Sequence, residues 1–389
     1  MKQLNSIIIL LVVVFFSHCK KEEIVPTKSI DCVYADSSTT HPKHAVYNEL
    51  LERYRKKGLP GISILINDSN GTWIGSSGFA DIDKGIKFSP CHISKAASIT
   101  KLLVGSMVLK LQEQGKININ DPISKYIDIE ILKKIKNADG KTIKQLMNHT
   151  TGIFDVITAP AFYLAVINNP NKTWSFEELL QFVYNKDGEE LSSQYPANYS
   201  NTNTLLLAMC VEKATGEKHE KLLRDLILTP LGMSNTYYQG REQIPNDAAQ
   251  GYFDLHSNGT IVNVSNYITG SGNGYGGVYS NVFDLYKFMN ALFAKKTLLS
   301  QASLDLMTEF NREDDDFYCG VSTVKKFTHK ATYGIGHTGR DLGYNANSFY
   351  FPERGYTIIF FVNYGTNGNS SLKQTFLDFE SELTDVVLN

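Results

Sequence analysis

Apolar residues recur along this chain with two different periods. Val46, Leu50 and Tyr54 return at helical spacing between His41 and Gly58, and Gly58 followed by Pro60 supplies a stop, so a helix opens the folded body. Gly61–Asn67 and Thr72–Phe79 then read as two strands joined by the turn Asp68-Ser-Asn-Gly71. A long helix is expected from about Ala97 to Gly115, with Leu102, Leu103, Met107, Val108 and Leu111 as its buried face. From about 120 to 310 the pattern is mostly helical, as at Phe176–Tyr184, Thr202–Thr215 and Val282–Phe293, with long loops between. Strand patterning returns only afterwards, in Thr332–His337, Asn345–Phe351 and Tyr356–Asn363, with a turn at Pro352–Gly355 and a closing helix over Ser371–Leu388. Strands at both ends with helices between them predict an α/β (α+β) fold. Its antiparallel sheet is formed from N- and C-terminal segments and flanked by helices, with an inserted, mostly helical domain. The body then spans 41–389, its sheet-bearing part drawn from 41–115 and 270–389 and its helical part from 116–269.

The residues before the body follow other rules. Ile7–Phe16 is a run of ten apolar residues behind Met1-Lys2, too short for a stable bilayer span and suited to an export signal over 1–19. Cys19 directly after it resembles the lipidation site of bacterial lipoproteins; ordinary signal-peptidase cleavage or an uncleaved anchor are the alternatives. The polar, aromatic-poor stretch 20–40 reads as a tether, and the expected address is the bacterial cell envelope, on the membrane by a lipid anchor.

Charge narrows the partners. Thirty-eight basic and 40 acidic residues leave a net charge of −2 with no basic stripe, which argues against nucleic acid. Apart from Cys19 the cysteines are Cys32, Cys91, Cys210 and Cys319. In an exported protein disulfides can persist; Cys32 with Cys91 is the first pair to test, and Cys210 reads as a buried small hydrophobe. No Cys/His spacing fits a metal, and no cofactor is called for.

Chemistry enters at Ser98-Ile-Thr-Lys101, where a hydroxyl and an amine three residues apart project from one face at a helix start. Such an amine can take the serine proton and so activate a nucleophile. The same spacing occurs at Ser17–Lys20, Ser322–Lys325 and Ser370–Lys373, where surface polarity and capping are sufficient explanations. Tyr199-Ser-Asn201 supplies a phenol able to relay protons and an amide able to hold both the lysine and a substrate carbonyl. A second copy, Tyr279-Ser-Asn281, precedes an amphipathic helix and is better read as a cap. His337-Thr-Gly339 occurs once, on a glycine-rich strand whose edge can bind an extended substrate.

In this order and on these elements, the three motifs resemble those of the penicillin-binding-protein and serine β-lactamase superfamily. The class C-like relatives of Streptomyces-type D-alanyl-D-alanine carboxypeptidases are nearest in motif. Gln145–Ile153, Thr229–Thr236 and Gly276–Ser280 extend the likeness over about 45–380. The resemblance implies a β-lactamase/transpeptidase-like fold and an acyl-enzyme on Ser98, with Lys101, Tyr199 and His337 as catalytic partners and Tyr199 as proton carrier. Asn201, Thr338, Gly339 and Arg340 would bind substrate, the backbone N–H groups of Ser98 and Arg340 forming the oxyanion hole. His337 would assist proton transfer or bind an anion, and His149 would be structural. Arg340 stands where such relatives usually carry a small residue, and its guanidinium is expected either to narrow the cleft or to bind a carboxylate; Lys325 and Lys326 read first as a solvated strand face and second as further carboxylate partners. The substrates so implied are small D-amino-acid peptides or peptidoglycan fragments, with esters or β-lactams as the alternative and an acylation-dead sensor as a third reading. A monomer is expected.

Overall fold

The computed structural model describes residues 26–34 and 38–389, so the export signal and Cys19 lie outside the described residues. Nine antiparallel strands form the main sheet: β1 (Gly61–Asp68), β2 (Gly71–Asp81), β3 (Ile86–Lys87), β4 (Asn311–Arg312), β5 (Phe317–Cys319), β6 (Val324–Lys326), β7 (Gly334–Asp341), β8 (Tyr344–Phe351) and β9 (Tyr356–Val362). Their order is β3-β2-β1-β9-β8-β7-β6-β5-β4, so N- and C-terminal pieces meet where β1 pairs with β9. The expected fold class therefore stands.

Alternation along the strands builds two cores, one on each face. In β1, Ile62, Ile64 and Ile66 enter one apolar cluster and Leu65 the other; in β9, Ile358, Phe360 and Val362 separate from Ile359 and Phe361 in the same way. Two helices, α1 (His44–Lys56) and a terminal helix over Lys373–Leu388, cover the first face, where Phe360 packs against Phe376 and Phe379. The second face carries α2 (Ile99–Glu113). Twelve of the 15 residues of α2 are buried, against the single face expected of it, because it is wedged between the sheet and the helical region rather than lying on a surface.

Two expectations about the middle of the chain need correction. The helix expected over Phe176–Tyr184 ends at Leu180, and much of 120–310 is loop joining short helices such as Ile129–Leu132 and Ile143–Met147. A small sheet, Ser94–Lys95 with Val278–Ser280 and Tyr237–Tyr238, also went unforeseen, as did β4 and β5, whereas β6 carries Lys325 and Lys326 on a strand as expected. Each of these strands is two or three residues long, too short to display a period of two. The Cys32–Cys91 disulfide is present, while Cys210 and Cys319 are free and buried.

A buried ionic cluster ties the terminal helix to the sheet. Glu380 accepts from Lys326 Nζ at 2.6 Å, Arg340 Nη2 at 3.1 Å and Asn347 Nδ2 at 2.6 Å. Burial pushes the Glu380 carboxyl upward, but the two cations and the hydrogen bonds from Lys326 and Asn347 prevail and hold it at about 2. Burial pushes the Lys326 ammonium down, Glu380 opposes the fall and the neighbouring Arg340 charge adds to it. The Glu380 contribution to stability is thus complete above its unfolded range near ~4.3 and disappears as pH falls through about 2. Glu380→Ala strands two enclosed cations and is expected to cost about 3–5 kcal/mol in urea unfolding at pH 7. The difference from wild type should shrink as the titration is repeated from pH 5 toward pH 2.

Candidate active site

The turn that delivers Ser98 is held from two sides. Ala97 adopts φ +49°, a conformation that costs a non-glycine residue energy, and Ser98 follows as the N-cap of α2. Ala96 N–H donates to Val278 O at 2.8 Å, and Val278 N–H donates to Thr100 Oγ1 at 3.2 Å, so the short strand of the second Tyr-Ser-Asn triplet clamps the turn. Asn281 of that triplet caps the helix Val282–Met289 through the Asp284 N–H. On the other side, β7 closes on the turn at Gly339, where an added Cβ would meet Ala96 O. Past Gly336, β7 is paired with β8 alone and keeps its other edge open.

Lys101 is the buried hub. Its Nζ lies 2.9 Å from Ser98 Oγ, 2.7 Å from Asn201 Oδ1 and 2.7 Å from Tyr275 O. Burial pulls its pKa down to about 7, against the opposing charges of Asp155 and Asp341. Asn201 cannot turn: its backbone N–H and its amide Nδ2 both donate to the Asp155 carboxylate, at 3.0–3.2 Å, which leaves Oδ1 facing the lysine. Both Asp155 oxygens lie on one side of Nδ2, so one hydrogen of the Asn201 amide serves them and the other is left for a substrate carbonyl in the cavity that Asn201 lines. Asp155, unnoticed in the sequence although it lies two residues past the quoted Gln145–Ile153 segment, is what orients Asn201.

Tyr199 stacks on His149 at 4.4 Å and meets Phe317 edge-on at 6.0 Å. Its hydroxyl is buried and without a hydrogen-bond partner among the described residues; burial drives its pKa well above 10, with the nearby Ser98 hydroxyl opposing the rise. His149 Nδ1 accepts from the Ser200 N–H at 3.2 Å, so its proton sits on Nε2, and burial with the neighbouring Lys101 and His337 keeps the ring neutral. His337 Nδ1 donates to Thr338 O at 2.6 Å, leaving Nε2 as an acceptor. Burial, then Lys101, lowers the His337 pKa to about 3, so at neutral pH it has no charge with which to bind an anion.

A cavity of about 310 Å³ opens at Ser98, lined among others by Tyr199, Asn201, Thr338 and Arg340; Lys101 and His337 lie behind its wall. The largest correction concerns Arg340. Its guanidinium turns to the opposite side of the sheet, pairs with Glu380 and lies 4.7 Å over the Phe376 ring, so it neither narrows the cleft nor meets a substrate carboxylate. Lys326 is bound to the same Glu380, and Lys325 lies over the Tyr318 ring at 4.2 Å. The other serine–lysine pairs have structural explanations: Ser322 packs so closely on α2 that a Cβ at Gly105 would come within 2.0 Å of it, and Ser370 bonds the Tyr364 hydroxyl at 2.6 Å. Ser17 lies outside the described residues.

The chain is similar to known proteins. The chain is 26% identical over 333 residues to the protein flp of Staphylococcus aureus (strain N315), a match covering 83% of this chain and 64% of that relative's length. Among solved structures it is similar to a D-stereospecific amidohydrolase from Streptomyces sp., with a TM-score of 0.75 and 25% identity over 87% of this chain and 98% of that one. The D-amino acid amidase of Ochrobactrum anthropi SV3 shares the fold with a TM-score of 0.76 and 22% identity over 87% and 96% of the two chains. The Beta-lactamase family model matches residues 47–381, nearly all of the folded body, and the chain belongs to that family of serine hydrolases.

Proposed function

We propose that the protein is an amidohydrolase that forms an acyl-enzyme on Ser98, with amides or peptides of D-amino acids as its substrate class. The observation that carries this reading is the partner set of Lys101. Asn201 Oδ1 and Tyr275 O are carbonyl oxygens and can only accept. A neutral Lys101 therefore gives its two hydrogens to them and aims its lone pair at the Ser98 hydroxyl 2.9 Å away. As Ser98 Oγ bonds to the substrate carbonyl carbon, its proton passes to Lys101. Tyr199, protonated in the resting site, donates to the departing nitrogen as the C–N bond breaks and recovers a proton from the Lys101 ammonium. The expected proton-carrier role of Tyr199 is thereby specified as donation, since its raised pKa makes a resting phenolate costly. In deacylation a water takes the place of the leaving nitrogen and the proton path runs backward. The Ser98 N–H has no acceptor among the described residues and is available to a developing oxyanion.

Carboxypeptidase action is less well supported than amide cleavage. A carboxypeptidase must hold a free terminal carboxylate, and Arg340, the one cationic residue lining the cavity, has its guanidinium on Glu380. Ester cleavage on the same machinery is the second reading. The envelope address, with Cys19 as anchor, belongs to the proposal on sequence grounds.

Ammonia release from D-amino-acid amides should exceed that from the L-amides and vanish in Ser98→Ala; no release, together with no labelling of Ser98 by an active-site phosphonate, would sink the reading. Acylation by an activated ester should rise as pH climbs through about 7, where Lys101 becomes neutral. Lys101→Met should slow acylation by roughly 10²–10⁴ and erase that limb of the profile. Arg340→Ala should lower the melting temperature while leaving KM within about twofold, because its guanidinium is remote from substrate.

A further inference from the structure

Four carboxylates line the cavity beside Ser98, and its one cationic residue, Arg340, has its guanidinium on Glu380. Asp155, Glu313, Asp314 and Asp341 all contribute to its wall. Two of these carboxylates are accounted for: Asp155 holds Asn201, and Asp341 is ion-paired with the buried Lys95 at 3.2 Å and accepts from Thr269 Oγ1 at 2.7 Å. The carboxylates of Glu313 and Asp314, on the turn between β4 and β5, have no cationic partner among the described residues; Glu313 is half-buried, and Asp314 is exposed, its carboxylate accepting only the Asp316 N–H, at 2.8 Å. Glu313 Oε2 faces only the weak thiol donor of Cys319, at 3.1 Å. Burial raises its pKa, and the Cys319 thiol and the Tyr199 backbone N–H oppose the rise, so this carboxyl is short of a positive neighbour.

Three further features bear on what would supply that charge. The acidic turn is fixed relative to the reaction centre, because Phe317 meets the Tyr199 ring edge-on and the Tyr199 backbone bonds Glu313. The buried Tyr199 hydroxyl, unpartnered among the described residues, lines the same cavity and awaits a group from the ligand. Beside these polar groups stand Ile157, Phe162 and Phe317, which suit an apolar side chain.

We propose that Glu313 and Asp314 form the subsite for a substrate ammonium group, so that the enzyme selects amides and esters of amino acids whose amine is unblocked. This rests on the reading of Ser98 as the acylated nucleophile. A bound ammonium compensates both carboxylates and places its carbonyl at Ser98 and its apolar side chain against the Phe162 side of the cavity.

The test compares kcat/KM for the p-nitrophenyl esters of D-phenylalanine and of N-acetyl-D-phenylalanine, using wild type, Glu313→Gln, Asp314→Asn, the double variant and Ser98→Ala. Wild type should favour the free amine at least about tenfold, and the double variant should bring that ratio toward one, a loss of about 10–100-fold expressed mainly in KM for the free-amine ester. Equal turnover of the two esters by wild type, or a loss shared equally by both in the variants, overturns the subsite. Should neither ester turn over, D-phenylalaninamide must slow phosphonate labelling of Ser98 more than its N-acetyl derivative does; equal or absent protection overturns the subsite as well. Undiminished turnover in Ser98→Ala instead defeats the nucleophile on which it rests, so the two failures remain distinct.

Discussion

Lys101 has its amine enclosed between the Ser98 hydroxyl, the Asn201 amide and the Tyr275 carbonyl, with 1% of its surface exposed. An ammonium taken out of water loses solvation that few protein contacts restore in full, and this is the cause of its lowered pKa. Each neighbour limits the outcome. Asp155 supplies enough negative potential to keep the protonated form accessible, and it does so across Asn201, where it does not compete for the amine directly. Too little charge there would leave a base unable to hold a proton; a direct carboxylate contact would leave an ammonium unable to release one.

The same enclosure dictates backbone shape. For Ser98 to face the cavity while Lys101 points inward one turn later, the chain has to enter α2 abruptly, and Ala97 takes up a left-handed conformation to do so. Holding that conformation requires tight packing on both sides: the short strand at Val278–Ser280 on one, and on the other a strand position with no side chain, Gly339. The third motif therefore contributes shape as well as chemistry, since any larger residue at 339 would push β7 away from the nucleophile turn.

Much of this was legible in the sequence because it depends on local order. The start of α2 after Ala97, the hairpin of β1 and β2 and the closing strands all carry a clear period, and Ser98, Tyr199 and His337 fall on the expected helix start, loop and strand. What was not legible depends on direction or on distant partners. Neighbouring positions on β7 face opposite sides of the sheet, so Arg340 could be placed in the strand without revealing that its guanidinium meets Glu380, 40 residues later, behind it. Asp155 carries no motif of its own; its importance comes from meeting Asn201, 46 residues away. Glu313 and Asp314 lie in a charged run that reads as a solvated loop until the fold brings it beside Tyr199.

The segment that leads into the body is fastened in a way that fixes how mechanical load enters the molecule. Thr27 bonds Ala248 and Gln250, the Lys28 carbonyl accepts from His92, and Cys32 is covalently joined to Cys91, seven residues before Ser98 in sequence. Tension applied to the chain ahead of Thr27 is delivered first to this patch and its covalent bond, not to α1 or the edge of the sheet. A pull on that end therefore meets the covalent link beside the segment that leads to the nucleophile before it meets α1.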